Sequence, residues 1–137
     1  MKKAFLLLAF LILIIFQTNA QTNEVYFASY PSISPDAKTA VFCYEGDVWK
    51  ADLATKMATR LTAMTGNETR PRISPDGKWV AFSASQYGNA DVYVMPLEGG
   101  TIRQLTFHDS GDLVESWSWD SQSGSCQTGG PIPHGPD

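Results

Sequence analysis

The hydrophobic positions of the chain form two different patterns. Residues 4–16 are one unbroken apolar run. Beyond residue 20, apolar residues come in short runs that are rich in β-branched and aromatic side chains and are separated by Gly, Pro, Asn and Asp. Such runs between turn residues are typical of β-strands, and no window beyond residue 20 has the 3.6-residue periodicity of an amphipathic helix. The pattern therefore predicts an all-β protein that follows a separate apolar segment.

The apolar segment has the organisation of an export signal. Lys2 and Lys3 precede it, and a short polar stretch that ends in Ala20 follows it. The run is too short to span a hydrocarbon layer of about 30 Å as a helix, which takes about 20 residues. We therefore expect residues 1–20 to be a signal peptide, cleaved between Ala20 and Gln21, and the mature protein to be periplasmic in a bacterium or secreted. An uncleaved N-terminal anchor is the alternative.

The remaining chain contains an internal repeat. Residues 31–38 (PSISPDAK) align with residues 71–78 (PRISPDGK) at a spacing of 40, and residues 47–49 (DVW) align with residues 91–93 (DVY) at a spacing of 44. A third copy starts near Glu115, again at a spacing of 44. Repeats of this length that consist of short strands and turns are typical of β-propeller blades, each of which is a four-stranded antiparallel sheet.

The spacings predict a β-propeller fragment with two complete four-stranded blades and the start of a third. We place the blades at about residues 25–65 and 66–109 and the start of the third at 110–120. Residues 21–120 would then be a partial propeller. The alternative is a β-sandwich whose self-similarity is accidental, but the ordered agreement between the two turn regions favours the repeat.

Each complete repeat contains the same turn sequence. The turn residues are Ser34, Pro35 and Asp36 in the first repeat and Ser74, Pro75, Asp76 and Gly77 in the second. Proline presets φ near −65° for the first corner of a turn, aspartate bonds the local backbone, and glycine tolerates positive φ. Because these residues recur in each repeat, we predict that they build the fold and take no part in catalysis.

The composition changes after Asp120. Residues 121–137 are rich in Ser, Gly and Pro and contain one large apolar residue, Ile132. Such a segment cannot supply the buried face of a strand. We therefore expect a low-complexity tail and a sequence that is truncated or frameshifted near residue 121. A natural flexible tail is the alternative.

Charge and cysteine content exclude several classes of protein. The net charge is −4, and it is −6 once residues 1–20, which contain two lysines and no acids, are set aside. This balance does not favour a nucleic-acid partner. Two cysteines are too few for a disulfide scaffold. We expect Cys43, which lies in a strand-like run, to be a small buried residue.

No catalytic, cofactor-binding or metal-binding residue is predicted. The run His108-Asp109-Ser110 contains the residue types of a hydrolase triad, but triad groups converge in space from distant positions. The acidic residues Asp109, Asp112 and Glu115 lack the ligand spacing of a calcium loop. The most economical interpretation is a polar loop between blades.

Two further groups of residues, a pair of arginines and a set of aromatic residues, are interpreted as structural. Arg70 and Arg72 beside Glu68 are expected to form a solvated polar rim. The aromatic residues could form a stacking platform for a ligand, although their alternation along the predicted strands favours a role in the core between sheets. These residues are Trp49, Trp79, Phe82, Tyr93, Trp117 and Trp119.

The repeat resembles a known family of propellers. The run ISPDGKWVAF at residues 73–82, with DVYVM at 91–95 and RQLT at 103–106, is similar to the repeats of TolB and of tricorn-type proteases. Residues 87–100 and 103–108 most specifically resemble the N-terminal propellers of secreted tricorn-like serine peptidases. The resemblance covers about 90 residues. Some exported amidohydrolases and prolyl-peptidase relatives have similar propellers.

This resemblance implies a function without implying a catalytic residue. In tricorn-like peptidases the propeller gates or filters peptides, and a separate catalytic domain holds the serine nucleophile. The chain would then be the non-catalytic N-terminal propeller segment of an exported serine peptidase. Its partners would be peptides or proteins bound by the propeller loops, and the remaining blades and catalytic domain. No cofactor is expected, and no membrane span is expected after signal cleavage. The alternative is a TolB-like periplasmic protein-binding propeller without catalysis.

Overall fold

The computed structural model describes residues 27–107 and 109–127 and the backbone of 130–132. The predicted signal peptide, its cleavage site between Ala20 and Gln21, and His108 lie outside the described residues. The described chain is all-β, as predicted, and contains only β-strands joined by turns and links. It therefore includes no helix that is long and apolar enough to cross a membrane.

The strands form three antiparallel sheets, and each strand pairs with its neighbour in sequence. Blade 1 contains β1 (Ser29–Ile33), β2 (Thr39–Tyr44), β3 (Asp47–Asp52) and β4 (Met57–Arg60). Blade 2 contains β5 (Glu68–Ile73), β6 (Trp79–Ala84), β7 (Asp91–Pro96) and β8 (Arg103–Gln104). Blade 3 contains β9 (Val114–Trp117), β10 (Gly124–Cys126) and β11 (Gly130–Ile132).

The hydrophobic core lies between the sheets. In β6, Val80 and Phe82 pack toward blade 1, where they join Val41 and Val48 in one cluster. Ala81, the residue between them, packs toward blade 3 in a second cluster that includes Val114. Successive side chains of a strand point to opposite faces, so the middle sheet is buried on both sides. This is the arrangement of stacked propeller blades, and it confirms the predicted propeller fragment with two complete blades.

The first strand of each complete blade has the same backbone irregularity. The pairing of β1 with β2 shifts between Ser29 and Ser32, and that of β5 with β6 shifts between Thr69 and Arg72. Each shift contains one residue with positive φ, Tyr30 at 54° and Arg70 at 53°. Each complete repeat therefore also contains a β-bulge in its first strand, which the amino-acid pattern does not reveal.

Two short strands follow Asp120. The composition of residues 121–137 predicts no strand with a buried face, and the structure nevertheless places β10 and β11 in this segment. Ser125 of β10 pairs with both Ser116 of β9 and Pro131 of β11. Pairing is made by the backbone and needs no apolar side chain, and the described side chains of β10 are exposed or half-buried. The boundary at residue 120 and the origin of the tail stay predictions.

Candidate interaction surface at the blade ends and blade junctions

The predicted turn residues form a closed hydrogen-bonded turn in each complete blade. In blade 2 the Ser74 hydroxyl donates to Asp76 Oδ1 at 2.5 Å and accepts the Trp79 amide at 3.0 Å. Asp76 Oδ1 also accepts the amide of Lys78 at 3.1 Å. In blade 1, Ser34 and Asp36 make the corresponding bonds at 2.7 to 3.1 Å. The serine and the aspartate thus bond each other and the backbone that follows.

Blade 3 builds the same turn from a different sequence. The Ser118 hydroxyl donates to Asp120 Oδ1 at 2.5 Å and accepts the Ser123 amide at 2.9 Å. Trp119 stands at the proline position and is 90% exposed. Ser121 stands at the glycine position with φ of 61°. Its hydroxyl accepts the backbone N–H of Asp76 at 3.0 Å, so this turn also links blade 3 to blade 2.

Hydrogen bonding lowers the pKa of all three turn aspartates. The Ser34 hydroxyl and then the Lys38 amide lower the pKa of Asp36, and the Ser118 hydroxyl does the same for Asp120. For Asp76 the largest single effect is burial, which raises the pKa, but hydrogen bonds from Ser74 and Lys78 outweigh it. The turns therefore favour ionised carboxylates.

The antiparallel order places the connections at two ends of the blades. The turn end contains the three turns just described and the β3–β4 and β7–β8 turns. The loop end contains residues 45–46, 61–67, 85–90, 105–107 and 109–113. Tyr87 and Phe107 at the loop end are 72% and 75% exposed. Trp119 provides an exposed aromatic side chain at the turn end. Each end thus presents exposed aromatic surface that a protein or peptide could contact.

Of the His-Asp-Ser run at the loop end, the structure describes Asp109 and Ser110. Asp109 and Ser110 are exposed, while Asp112 is buried, 2% exposed, at the base of the same link. No group of three metal-ligating side chains occurs among the described residues.

The junction between blades 1 and 2 is built around a buried carboxyl group. Glu68 is 1% exposed, and its Oε2 accepts the Thr62 hydroxyl at 2.5 Å and the Val48 amide at 3.1 Å. Its own amide donates to Gly46 O at 2.8 Å. Glu68, which stands beside the two arginines expected to form a solvated rim, is therefore itself buried, because the loop end of blade 1 covers it. Arg70 and Arg72 are half-buried.

The junction between blades 2 and 3 also has a buried acid and a threonine hydroxyl, but the hydroxyl donates to a different carboxylate. Asp112 stands 44 positions after Glu68, and its amide donates to Ala90 O at 2.6 Å. The Thr106 hydroxyl accepts the Val92 amide at 2.9 Å, as Thr62 does for Val48. However, Thr106 donates to Asp91 of its own blade at 3.4 Å.

Cys43 is buried beside the first junction, as its position in a strand-like run predicts. Burial, and next the negative charge of Glu68, raise the pKa of the thiol to about 12. A thiol that stays protonated is a poor nucleophile. Cys43 and Cys126 are not joined in a disulfide.

The aromatic residues divide between core and surface. Phe82 and Tyr93 are buried and stack at a centroid distance of 5.9 Å, which agrees with a core role. Trp49, Trp79 and Trp117 are half-buried. Trp119 is exposed at the tip of a turn, so its assignment to the core is wrong.

Comparison with known proteins assigns this arrangement to a family. The model of the tricorn protease N-terminal β-propeller domain matches residues 25–128. The chain belongs to this family. Two tricorn protease homologues are similar in sequence: homolog 1 of Streptomyces coelicolor, 37% identical over 89 residues, and the homologue of Saccharolobus solfataricus, 38% identical over 93 residues. Each match covers 64% of this chain and 8% of the relative.

A solved structure supports the same fold. TolB from Acinetobacter baumannii superimposes with a TM-score of 0.63 and 27% identity, covering 72% of this chain and 26% of that one. The match to the two tricorn homologues, in contrast, spans less than a tenth of their length. The tricorn-propeller family and the TolB-like fold agree with the resemblance in the sequence.

The junction carboxyls are the polar residues of this tricorn-type propeller that sequence reasoning missed. Asn67-Glu68-Thr69 looks like a polar loop, and Asp112 lies among acidic residues. A signal was nevertheless present, since both acids stand six residues after the threonine of the repeated Leu-Thr pair at 61–62 and 105–106. An acidic residue that recurs at the same position of each repeat, at a fixed distance from the Leu-Thr pair, is therefore a candidate for a buried residue between two blades.

Proposed function

We propose that the chain is the non-catalytic N-terminal propeller segment of an exported tricorn-like serine peptidase. The observation that carries the proposal is the match of the family model to residues 25–128, together with the identity to two tricorn protease homologues. The share of those relatives that the chain covers leaves room for a catalytic domain elsewhere in the protein. The signal-like segment at residues 1–20 supports export.

In this role the propeller ends would contact peptides or protein partners. The support is the exposure of Tyr87 and Phe107 at the loop end and of Trp119 at the turn end, since aromatic residues are enriched at protein interfaces. The chain would supply binding surface and contacts to the remaining blades, while peptide hydrolysis would take place in another domain.

The second candidate is a TolB-like periplasmic binding propeller without catalysis. The structural similarity to TolB from Acinetobacter baumannii favours it. The two candidates share the propeller and the export signal, so they differ only in whether a serine nucleophile belongs to the same protein.

One experiment separates the two candidates. An antibody raised against this chain is used on cell fractions of the source organism, and the captured protein is treated with a fluorophosphonate probe that labels active serine hydrolases. We expect a labelled polypeptide several times larger than 15.0 kDa in the exported fraction. An exported but unlabelled protein would select the TolB-like candidate, and a cytoplasmic protein would overturn export.

The purified chain itself should hydrolyse no peptide. A mixture of fluorogenic peptides is incubated with the chain and with a preparation from cells that carry the empty vector. Equal rates are expected because the predicted nucleophile lies outside this segment. Hydrolysis above the vector control would overturn the assignment of the chain as non-catalytic.

A further inference from the structure

The carboxyl group of Glu68 crosses from one blade into the next. Its backbone begins β5 of blade 2, and its Oε2 accepts hydrogen bonds from the Thr62 hydroxyl and the Val48 amide, at 2.5 and 3.1 Å. Val48 belongs to β3 of blade 1, and Thr62 lies in the link that follows β4. The contact between the two blades thus includes one ionisable group that both blades hold.

This group is sealed from solvent. Glu68 is 1%, Thr62 3% and Val48 0% exposed. The second oxygen, Oε1, has no hydrogen-bond partner among the residues that the structure describes. An ionised carboxylate without full hydrogen bonding is costly to bury, whereas the neutral acid can still accept both bonds at Oε2.

Among the described residues around Glu68, no cation is paired with its carboxylate to balance the negative charge. From blade 1, β3 contributes Asp47, whose negative charge opposes ionisation of Glu68, and Arg60 of β4 is paired with Asp47 at 3.3 Å. β2 contributes the thiol of Cys43. The link at 61–67 and the paired strand β6 contain no charged residue. The cations of β5 itself, Arg70 and Arg72, make no ion pair with Glu68 among the described contacts.

We propose that Glu68 makes the junction between blades 1 and 2 a pH-sensitive contact, which is tight when the carboxyl is protonated and loosened when it ionises. The proposal rests on the buried position of the carboxyl between two blades and on its hydrogen bonds to both sides of the contact.

The direction of the effect follows from the pKa. Burial raises the pKa of Glu68 above its usual value of 4.5; the Thr62 hydroxyl and the nearby N–H groups of Val48 and Met64 lower it, and Asp47 raises it further. A carboxyl whose pKa is higher in the folded than in the unfolded state stabilises the fold below the unfolded pKa. This contribution is lost as the pH rises through the folded pKa. The turn aspartates act in the opposite direction and at lower pH, because their pKa values are lowered from 3.8.

The test compares Glu68→Gln with the wild-type chain. The glutamine oxygen can accept both bonds and the side chain does not titrate, so this variant keeps the contact without the pH response. Glu115→Gln is the matched control, because Glu115 is exposed in β9. The readout is the protection factor of the Val48 amide in hydrogen exchange, measured by NMR from pH 4.5 to 8.

We expect the wild-type protection factor to fall by about tenfold for each unit by which the folded pKa exceeds the unfolded one. Glu115→Gln should show the same fall, and Glu68→Gln should show a flat profile whatever its absolute stability. Equal profiles for wild type and Glu68→Gln would overturn the proposal.

A direct titration keeps the proposal testable if the variant does not fold. The carboxyl carbon of Glu68 is followed by NMR in the wild-type chain across the same pH range and below it. The expected midpoint lies above 4.5, the usual value for glutamate. A midpoint at or below 4.5 would overturn the proposal independently of any substitution.

Discussion

At the scale of single residues, the same turn occurs in all three blades, with a different residue in each at the position that has positive φ. Ala37, Gly77 and Ser121 have φ of 56°, 73° and 61°. The sequence predicted the first two turns because their Ser, Pro and Asp carry local turn preferences. In the third turn Trp119 and Ser121 replace the proline and glycine, so only the serine and the aspartate keep the same turn preference. The serine and aspartate hydrogen bonds, which all three turns share, are what define the turn.

The first prediction concerns the left-handed alanine. A non-glycine residue in this conformation costs about 1–2 kcal/mol, and glycine costs about 0.5–1 kcal/mol in chain entropy. Ala37→Gly should therefore raise the free energy of unfolding by about 0.5–1 kcal/mol, measured by urea denaturation. Ala63→Gly, an exposed position without positive φ, should lower it. A loss of stability in both variants would contradict the argument.

At the scale of elements, burial is decided by the neighbouring blade. β6 and β7 are apolar along their length, so their sequences predict strands, and both are almost wholly buried. β5 is polar in sequence, yet Glu68, Pro71 and Ile73 are buried in it. No local pattern shows which side of such a strand the adjacent sheet will cover. The same limit explains why the junction acids were missed.

The second prediction tests the core of the middle blade. Phe82 is 0% exposed and stacks on Tyr93, so Phe82→Ala should lower the free energy of unfolding by about 3–5 kcal/mol. Phe107→Ala removes an aromatic ring that is 75% exposed and should change it by no more than about 0.5 kcal/mol. Denaturant midpoints measure both. A cost below about 1 kcal/mol for Phe82→Ala would contradict the packing described.

At the scale of the whole molecule, the same repeat position has two environments. Ile33 and Ile73 are 40 positions apart in equivalent strands. Ile33 is 61% exposed in β1, whereas Ile73 is 8% exposed in β5, where blade 1 covers it. Among the described sheets, none packs on the face of blade 1 that contains Ile33. Blades depend on their neighbours for stability, so the chain alone should be marginally stable.

The third prediction follows from this uncovered face. The purified chain should bind a hydrophobic dye, and Ile33→Ser should reduce the fluorescence of the dye with little change in the melting temperature. Ile73→Ser, the equivalent change in a covered strand, should lower the melting temperature and increase the fluorescence. A sharp cooperative melt of a soluble monomer that binds no dye would count against the exposed face.

The position of the junction acids also determines how such a molecule can grow by gene duplication. A unit from residue 68 to 111 has the acid at its first position and the threonine that stands at the next junction near its end. When two copies are fused head to tail, the acid of the second follows the threonine of the first by six residues, which is the spacing found at both junctions. A unit cut between Thr106 and Asp112 thus keeps this spacing, and a propeller built from such units can lengthen by whole blades with each acid in the same position of its repeat.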